Sequence, residues 1–124
     1  MIYLDNAATT GYKPPQVIQA VADTLANMSA NPGRSGHKLS TQAMMTVMKT
    51  RQAVCDFVNG YSPDKVVFSL NCTSALNLAI IGSAKKGCHV ISSLSEHNSV
   101  LRPLVELQKR KIIVVRKWLA KVER

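Results

Sequence analysis

A short polar turn, Asn-Cys-Thr-Ser at residues 71–74, is the first place where the residue types point to chemistry. It follows an apolar, β-branched run at residues 65–70 and precedes an apolar helix. Ligands of open α/β sheets bind beyond the carboxyl ends of strands. Helical N–H groups and the hydroxyls of Thr73 and Ser74 could together hold a phosphate group at this position. A simple helix cap by Thr73 or Ser74 is the alternative that the turn alone favours, and the turn lacks the glycine pattern of a P-loop or dinucleotide site.

His97 is the second candidate, in the polar loop after the strand predicted at residues 89–92. Right-handed winding would bring this loop to the same end of the sheet as Thr73. An imidazole at that position can stack on a flat ring or transfer a proton near neutral pH. For one histidine considered alone, a surface residue without a role is the favoured alternative.

The elements that would position these residues follow from the hydrophobic periodicity. Helical spacing of apolar residues predicts helices over residues 15–28, 39–58, 75–82 and 100–107. Short apolar runs predict strands at residues 2–4, 65–70, 89–92 and 112–115. Because helices alternate with the later strands, we expect an α/β fold with a mainly parallel sheet.

Composition limits the class of protein. The 124 residues are 46% hydrophobic and 19% charged, which indicates one folded domain or part of a larger one. The sequence has neither a membrane-spanning run nor a signal peptide, so we expect a cytoplasmic protein that does not bind membranes. The three cysteines and three histidines lack metal-ligand spacing, so no metal site is expected.

The net charge of +9 is concentrated at one end of the chain. Residues 109–124 contain seven of the 16 basic residues and one of the seven acidic residues. Short basic ends are more often solvated than dedicated to phosphate binding, so the charge alone does not predict a nucleic-acid partner.

Four ordered sequence blocks resemble the class V aminotransferase family, and within it the cysteine desulfurase and selenocysteine lyase group. The blocks are YLDNAATT at residues 3–10, NPGRSGH at 31–37, FSLNCTSALNLAI at 68–80 and EHNSVL at 96–101. The resemblance runs from Met1 to about Lys109. It implies part of the large α/β domain of a fold-type-I, pyridoxal-phosphate-dependent enzyme, with N-terminal helices before the sheet.

Members of this group use pyridoxal 5'-phosphate to cleave the carbon–sulfur bond of cysteine, which gives alanine and an enzyme-bound persulfide. By position, the resemblance implies that Cys72 and Thr73 bind the cofactor phosphate and that His97 stacks on the pyridine ring as the candidate catalytic residue. It places the substrate, cysteine or selenocysteine, near three small or polar residues, Asn6, Ala7 and Ala8. It also implies a homodimer or a complementary chain, with residues 31–37 at the active-site mouth or dimer interface.

The chain also departs from the family pattern. It is much shorter than the family's enzymes, and it lacks their aspartate at the pyridinium nitrogen, their cofactor-binding lysine and their mobile catalytic cysteine. The first two support the electron-sink chemistry of the cofactor. Residues 116–124 look foreign to the family. We therefore expect an N-terminal portion of such an enzyme that is inactive by itself.

The predicted organisation has three parts: an N-terminal segment with the active-site loop at residues 1–38, a partial cofactor-binding α/β domain at 39–115, and a basic tail at 116–124. Two alternatives remain at this point. The chain could be a non-catalytic interaction or split-subunit module, or a domain that contacts nucleic acid through its basic end.

Overall fold

The computed structural model describes residues 2–33 and 36–118, with Trp118 by its backbone alone. The chain divides into two compact units, Met1–Val67 and Phe68–Arg124, which are described separately. The three-part organisation predicted above stays a prediction. Within the described residues the elements are α1 (Pro15–Asn27), α2 (Lys38–Phe57), a short 3-10 helix (Pro63–Lys65), α3 (Cys72–Ser83), β1 (Cys88–Ser93), α4 (Asn98–Lys109) and β2 (Ile113–Trp118).

Helix α1 of the first unit begins with Pro15, whose missing N–H would be unpaired at that position in any case. Its bounds agree with the predicted helix. Its apolar stripe is not buried. The four side chains of the stripe are between 48% and 70% exposed: Val17, Ile18, Val21 and Leu25.

Helix α2 is the longest element, as predicted, and its start is fixed by hydrogen bonds. The His37 Nδ1 atom accepts from the Ser40 N–H at 3.3 Å. The Ser40 hydroxyl is buried and donates to the Asn31 carbonyl at 2.9 Å. The NPGRSGH segment at residues 31–37 is thereby joined to the first turn of α2. Arg34 and Ser35 of that segment lie outside the described residues.

The second unit is built on a parallel pair of strands joined by α4. Strands β1 and β2 pair in parallel, from Cys88 opposite Ile113 to Ser93 opposite Trp118. The buried core consists of Leu104, Leu107 and Ile113, and half-buried residues of α3 and β1 pack against it. The predicted strands at residues 89–92 and 112–115 are confirmed, and β2 continues through Arg116 and Lys117.

Two predicted strands do not form. Residues 2–4 and 66–69 have no regular secondary structure, and residues 63–65 form the 3-10 helix. A strand requires a hydrogen-bonded neighbour, and the sheet of the described residues contains only β1 and β2. Apolar side chains of these segments therefore remain exposed, as Leu4 does at 90% and Leu70 at 92%.

Among the described helices, none combines the length and apolar character needed to cross a bilayer.

The turn into β2 predicts a stabilising substitution. Lys111 adopts a left-handed backbone with φ of 56°, which costs a residue with a Cβ about 1–2 kcal/mol. We expect Lys111→Gly to raise the free energy of unfolding by up to about 1 kcal/mol, because the flexibility of glycine in the unfolded chain offsets part of the gain. Urea denaturation measures the change. Gln108→Gly, in the last turn of α4, is the control and should lower stability by about 0.5–1 kcal/mol; losses of equal size in both variants would contradict the prediction.

Candidate functional site

The first turn of α3 is capped by Asn71. The Asn71 Oδ1 atom accepts from the Ser74 N–H at 2.9 Å, and the Asn71 carbonyl accepts from the Ala75 N–H at 3.0 Å. The Ser69 hydroxyl donates to the same carbonyl at 3.0 Å. The predicted cap by Thr73 or Ser74 is therefore wrong. All three residue types are good caps, and the helix begins earlier than the apolar periodicity indicates.

This capping leaves two backbone N–H groups at the start of α3 without an acceptor in their own helix. Cys72 and Thr73 are the first two residues of the helix, and N–H groups at these positions have no acceptor within their own helix. Both residues are exposed. Their N–H groups and the Thr73 hydroxyl lie at the positive end of the helix dipole, where an anion is stabilised.

His97 caps α4 through its Nδ1 atom. That atom accepts from the Ser99 N–H at 3.2 Å, and the Ser99 hydroxyl lies 2.7 Å from it. Because a backbone N–H can only donate, Nδ1 carries the lone pair, and in the neutral ring the proton is on Nε2. His97 therefore has a structural role, so the reading of a surface histidine without one is wrong.

Asn77 connects the starts of α3 and α4. Its Nδ2 atom donates to the Thr73 carbonyl at 2.9 Å and, in a longer contact, to the Ser99 carbonyl at 3.4 Å. Ser99 is buried and Asn77 half-buried. The phosphate-binding candidates Cys72 and Thr73 and the ring-stacking candidate His97 thus begin two helices that side-chain hydrogen bonds hold together.

The substrate candidates lie in a locally closed loop of the first unit. The Tyr3 hydroxyl donates to the Thr9 carbonyl at 2.8 Å, and Asn6 Oδ1 accepts from the Gly11 N–H at 3.1 Å. A Cβ at Gly11 would lie 2.6 Å from the Tyr3 ring, so glycine is required for this approach. Asn6 and its neighbours Ala7 and Ala8 are exposed within this loop.

The described structure therefore groups Cys72, Thr73 and His97 in the second unit and places Asn6, Ala7 and Ala8 in the first. Sequence reasoning missed the cap and the two connecting residues, Asn71, Asn77 and Ser99. A signal existed for Ser99 alone, because a proline four residues after it leaves its carbonyl without a helical donor. Among the described residues, no His, Cys, Asp or Glu side chains form a group of three that could bind a metal.

The chain belongs to the class V aminotransferase family, whose family model, "Aminotransferase class-V", matches residues 2–123. Among curated proteins, it is 38% identical over 114 residues to a probable cysteine desulfurase of Borreliella burgdorferi, a match that covers 86% of this chain and 26% of that protein. The chain thus spans about a quarter of the length of this relative.

Solved structures agree with this assignment. The apo structure of a cysteine desulfurase from Thermococcus onnurineus NA1 matches with a TM-score of 0.81 and 28% identity, over 94% of this chain and 29% of that one. A C-DES mutant with glycine covalently linked to its PLP cofactor shares the fold, with a TM-score of 0.64 and 17% identity, over 86% of this chain and 28% of that one. The helices and parallel strands are thus part of the expected fold-type-I α/β domain.

The extent of the match corrects one expectation. The resemblance was expected to end near Lys109, with a foreign sequence from Arg116 onward, but the family match continues to residue 123. Cysteine desulfurase relatives cover most of the chain, as expected for an N-terminal portion of such an enzyme. Neither the interaction module nor the nucleic-acid-binding domain is favoured by these matches.

The capping geometry predicts which polar residue at the start of α3 stabilises the fold. We expect Asn71→Ala to lower the free energy of unfolding by about 0.5–2 kcal/mol, because the Ser74 N–H loses its acceptor. Ser74→Ala is the matched control and should change stability by less than about 0.5 kcal/mol, since its N–H remains capped. Chemical denaturation of both variants measures the difference. The reverse order of losses would show that a hydroxyl caps the helix.

Proposed function

We propose that this chain is the N-terminal portion of a pyridoxal-phosphate-dependent, cysteine desulfurase-like enzyme and carries the phosphate-binding and ring-stacking part of the cofactor site. The observation that carries the proposal is the pair of helix starts joined by Asn77. One start offers N–H groups that have no acceptor among the described residues, and the other offers an exposed imidazole. A ligand that has both a phosphate and a flat ring matches this pair of features.

The residues present fit the two ends of the cofactor. Cys72 binds the phosphate through its backbone N–H, and Thr73 through its N–H and its hydroxyl. The exposed His97 ring stacks on the pyridine ring, and its Nδ1 atom is held by Ser99 so that Nε2 carries the proton. When bound, pyridoxal 5'-phosphate supplies the electron sink for cleaving bonds in an amino acid.

The remaining assignments rest on the family. Asn6, Ala7 and Ala8 lie near the substrate, with the Asn6 side chain held by the Gly11 N–H. The relatives' names support cysteine as the substrate, and selenocysteine is the alternative. The complete enzyme is a cytoplasmic homodimer, or this chain pairs with a complementary chain. By itself the 124-residue chain is inactive, because the residues that resemble the family motifs do not include the cofactor-binding lysine or the catalytic cysteine.

Thr73 provides a direct test of the phosphate site. We expect Thr73→Ala to weaken binding of inorganic phosphate about 2- to 10-fold, because one hydroxyl hydrogen bond is worth about 0.5–1.5 kcal/mol. NMR titration that follows the backbone amides of residues 72–74 measures the affinity and shows that the variant is folded. Ser74→Ala is the control, since the Ser74 N–H is occupied by Asn71. Equal affinities of Thr73→Ala and the unmodified chain would remove Thr73 from the site.

The proposal that this chain is inactive by itself can be tested by the reaction of its lysines with the cofactor. None of the ten lysines lies in the family's lysine context, so we expect pyridoxal 5'-phosphate followed by borohydride to label several exposed lysines at low and similar levels. Peptide mapping by mass spectrometry measures the distribution. Stoichiometric labelling of one lysine, or alanine production from cysteine by this chain, would contradict the proposal.

A further inference from the structure

The Ser99 carbonyl requires a hydrogen-bond donor from outside α4. In a regular helix the N–H of residue 103 would donate to it, but residue 103 is a proline and has no N–H. Ser99 is only 7% exposed, so its carbonyl has little access to water. A buried carbonyl without a partner costs free energy comparable to a lost hydrogen bond.

Asn77 supplies this donor from the neighbouring helix. Its Nδ2 atom carries two hydrogens and can therefore serve the Thr73 carbonyl at 2.9 Å and the Ser99 carbonyl at 3.4 Å together. Asn77 and Pro103 also line the same surface cavity, of about 270 Å³.

The contacts continue from Ser99 to the imidazole. The Ser99 N–H donates to the His97 Nδ1 atom, and the Ser99 hydroxyl contacts the same atom. Hydrogen bonds thus connect the backbone of Thr73, through Asn77 and Ser99, to the ring of His97. Each contact lies within the second unit.

We infer that Asn77 is a positioning residue, which fixes the phosphate-binding turn of α3 relative to the His97 ring. The inference rests on the proposed function. Inorganic phosphate requires only the turn, whereas a ligand with both a phosphate and a pyridine ring requires the turn and the ring at a fixed separation. Loss of the Asn77 side chain is therefore expected to weaken binding of the ligand that has a pyridine ring and to leave the binding of inorganic phosphate unchanged.

The test compares two probes on the full 124-residue chain. Inorganic phosphate reports on the turn, and pyridoxine 5'-phosphate adds the pyridine ring without an aldehyde that would react with lysines. In the unmodified chain the ring compound is expected to bind about 2- to 10-fold more tightly, the scale of one stacking contact. Asn77→Leu, which is similar in volume and uncharged, is expected to abolish this preference while phosphate affinity stays within about twofold. Gln108→Leu, on an exposed position of α4, is the matched control and should keep the preference.

A second variant separates positioning from mere stability. Pro103→Ala gives the Ser99 carbonyl a backbone donor within α4. In Asn77→Leu/Pro103→Ala the melting temperature is expected to recover relative to Asn77→Leu, while the preference for the ring compound stays lost because the connection to α3 is absent. Recovery of both the melting temperature and the preference for the ring compound would show that Asn77 has a purely structural role, and would overturn the inference. If Asn77→Leu does not fold, the double variant carries the comparison, and failure of both to fold would also overturn it.

The outcomes distinguish the two proposals. An unmodified chain that binds neither probe, or binds both equally, overturns the proposed function and the inference with it. An unmodified chain that prefers the ring compound, together with an Asn77→Leu variant that keeps this preference, overturns the inference alone.

Discussion

The second unit depends on how one carbonyl at the start of α4 finds a hydrogen-bond donor. Pro103 removes the helical donor of Ser99, and the amide of Asn77 takes its place. This replacement joins α3 to α4, and α4 carries two of the three buried core side chains, Leu104 and Leu107, over the parallel strands. A regular helix without the proline would satisfy this carbonyl from within. The proline therefore adds a hydrogen bond between α3 and α4 to the apolar packing of Ile80 against the core of Leu104, Leu107 and Ile113.

The candidate chemistry consists of the backbone donors that remain after each helix has been capped. His37, Asn71 and His97 each use a side-chain acceptor to bind an N–H in the first turn of a helix. A cap satisfies the second or third N–H and leaves the first without a partner. At α3 the cap binds the third N–H, that of Ser74, so the N–H groups of Cys72 and Thr73 stay available to a ligand. At α4 the cap is itself a titratable ring, so capping also determines the tautomer of the side chain proposed to meet the cofactor.

The sequence predicts the features that depend on neighbouring residues, and it does not predict those that depend on contacts between residues far apart in the chain. Helices α1, α2 and α4 were predicted to within about two residues, because helical periodicity and its ends are local properties. The strands near residues 90 and 114 were also predicted, whereas those at residues 2–4 and 65–70 were not formed, because pairing depends on a distant partner that no local pattern reveals. In the candidate site, Thr73 and His97 were proposed from the turn and the family resemblance, and their roles stay predictions. Asn77 did not, because its role arises only when α3 and α4 lie together.

Helix α1 has a consequence for the fate of the chain in a cell. A helix of 13 residues gains little stability from its own hydrogen bonds, and its apolar stripe, centred on Ile18 and Val21, faces solvent. Chaperones and proteases recognise such surfaces as signs of incomplete folding. The exposed stripe of α1 is thus a feature that this quality control can recognise even while the two parallel strands and their core stay intact.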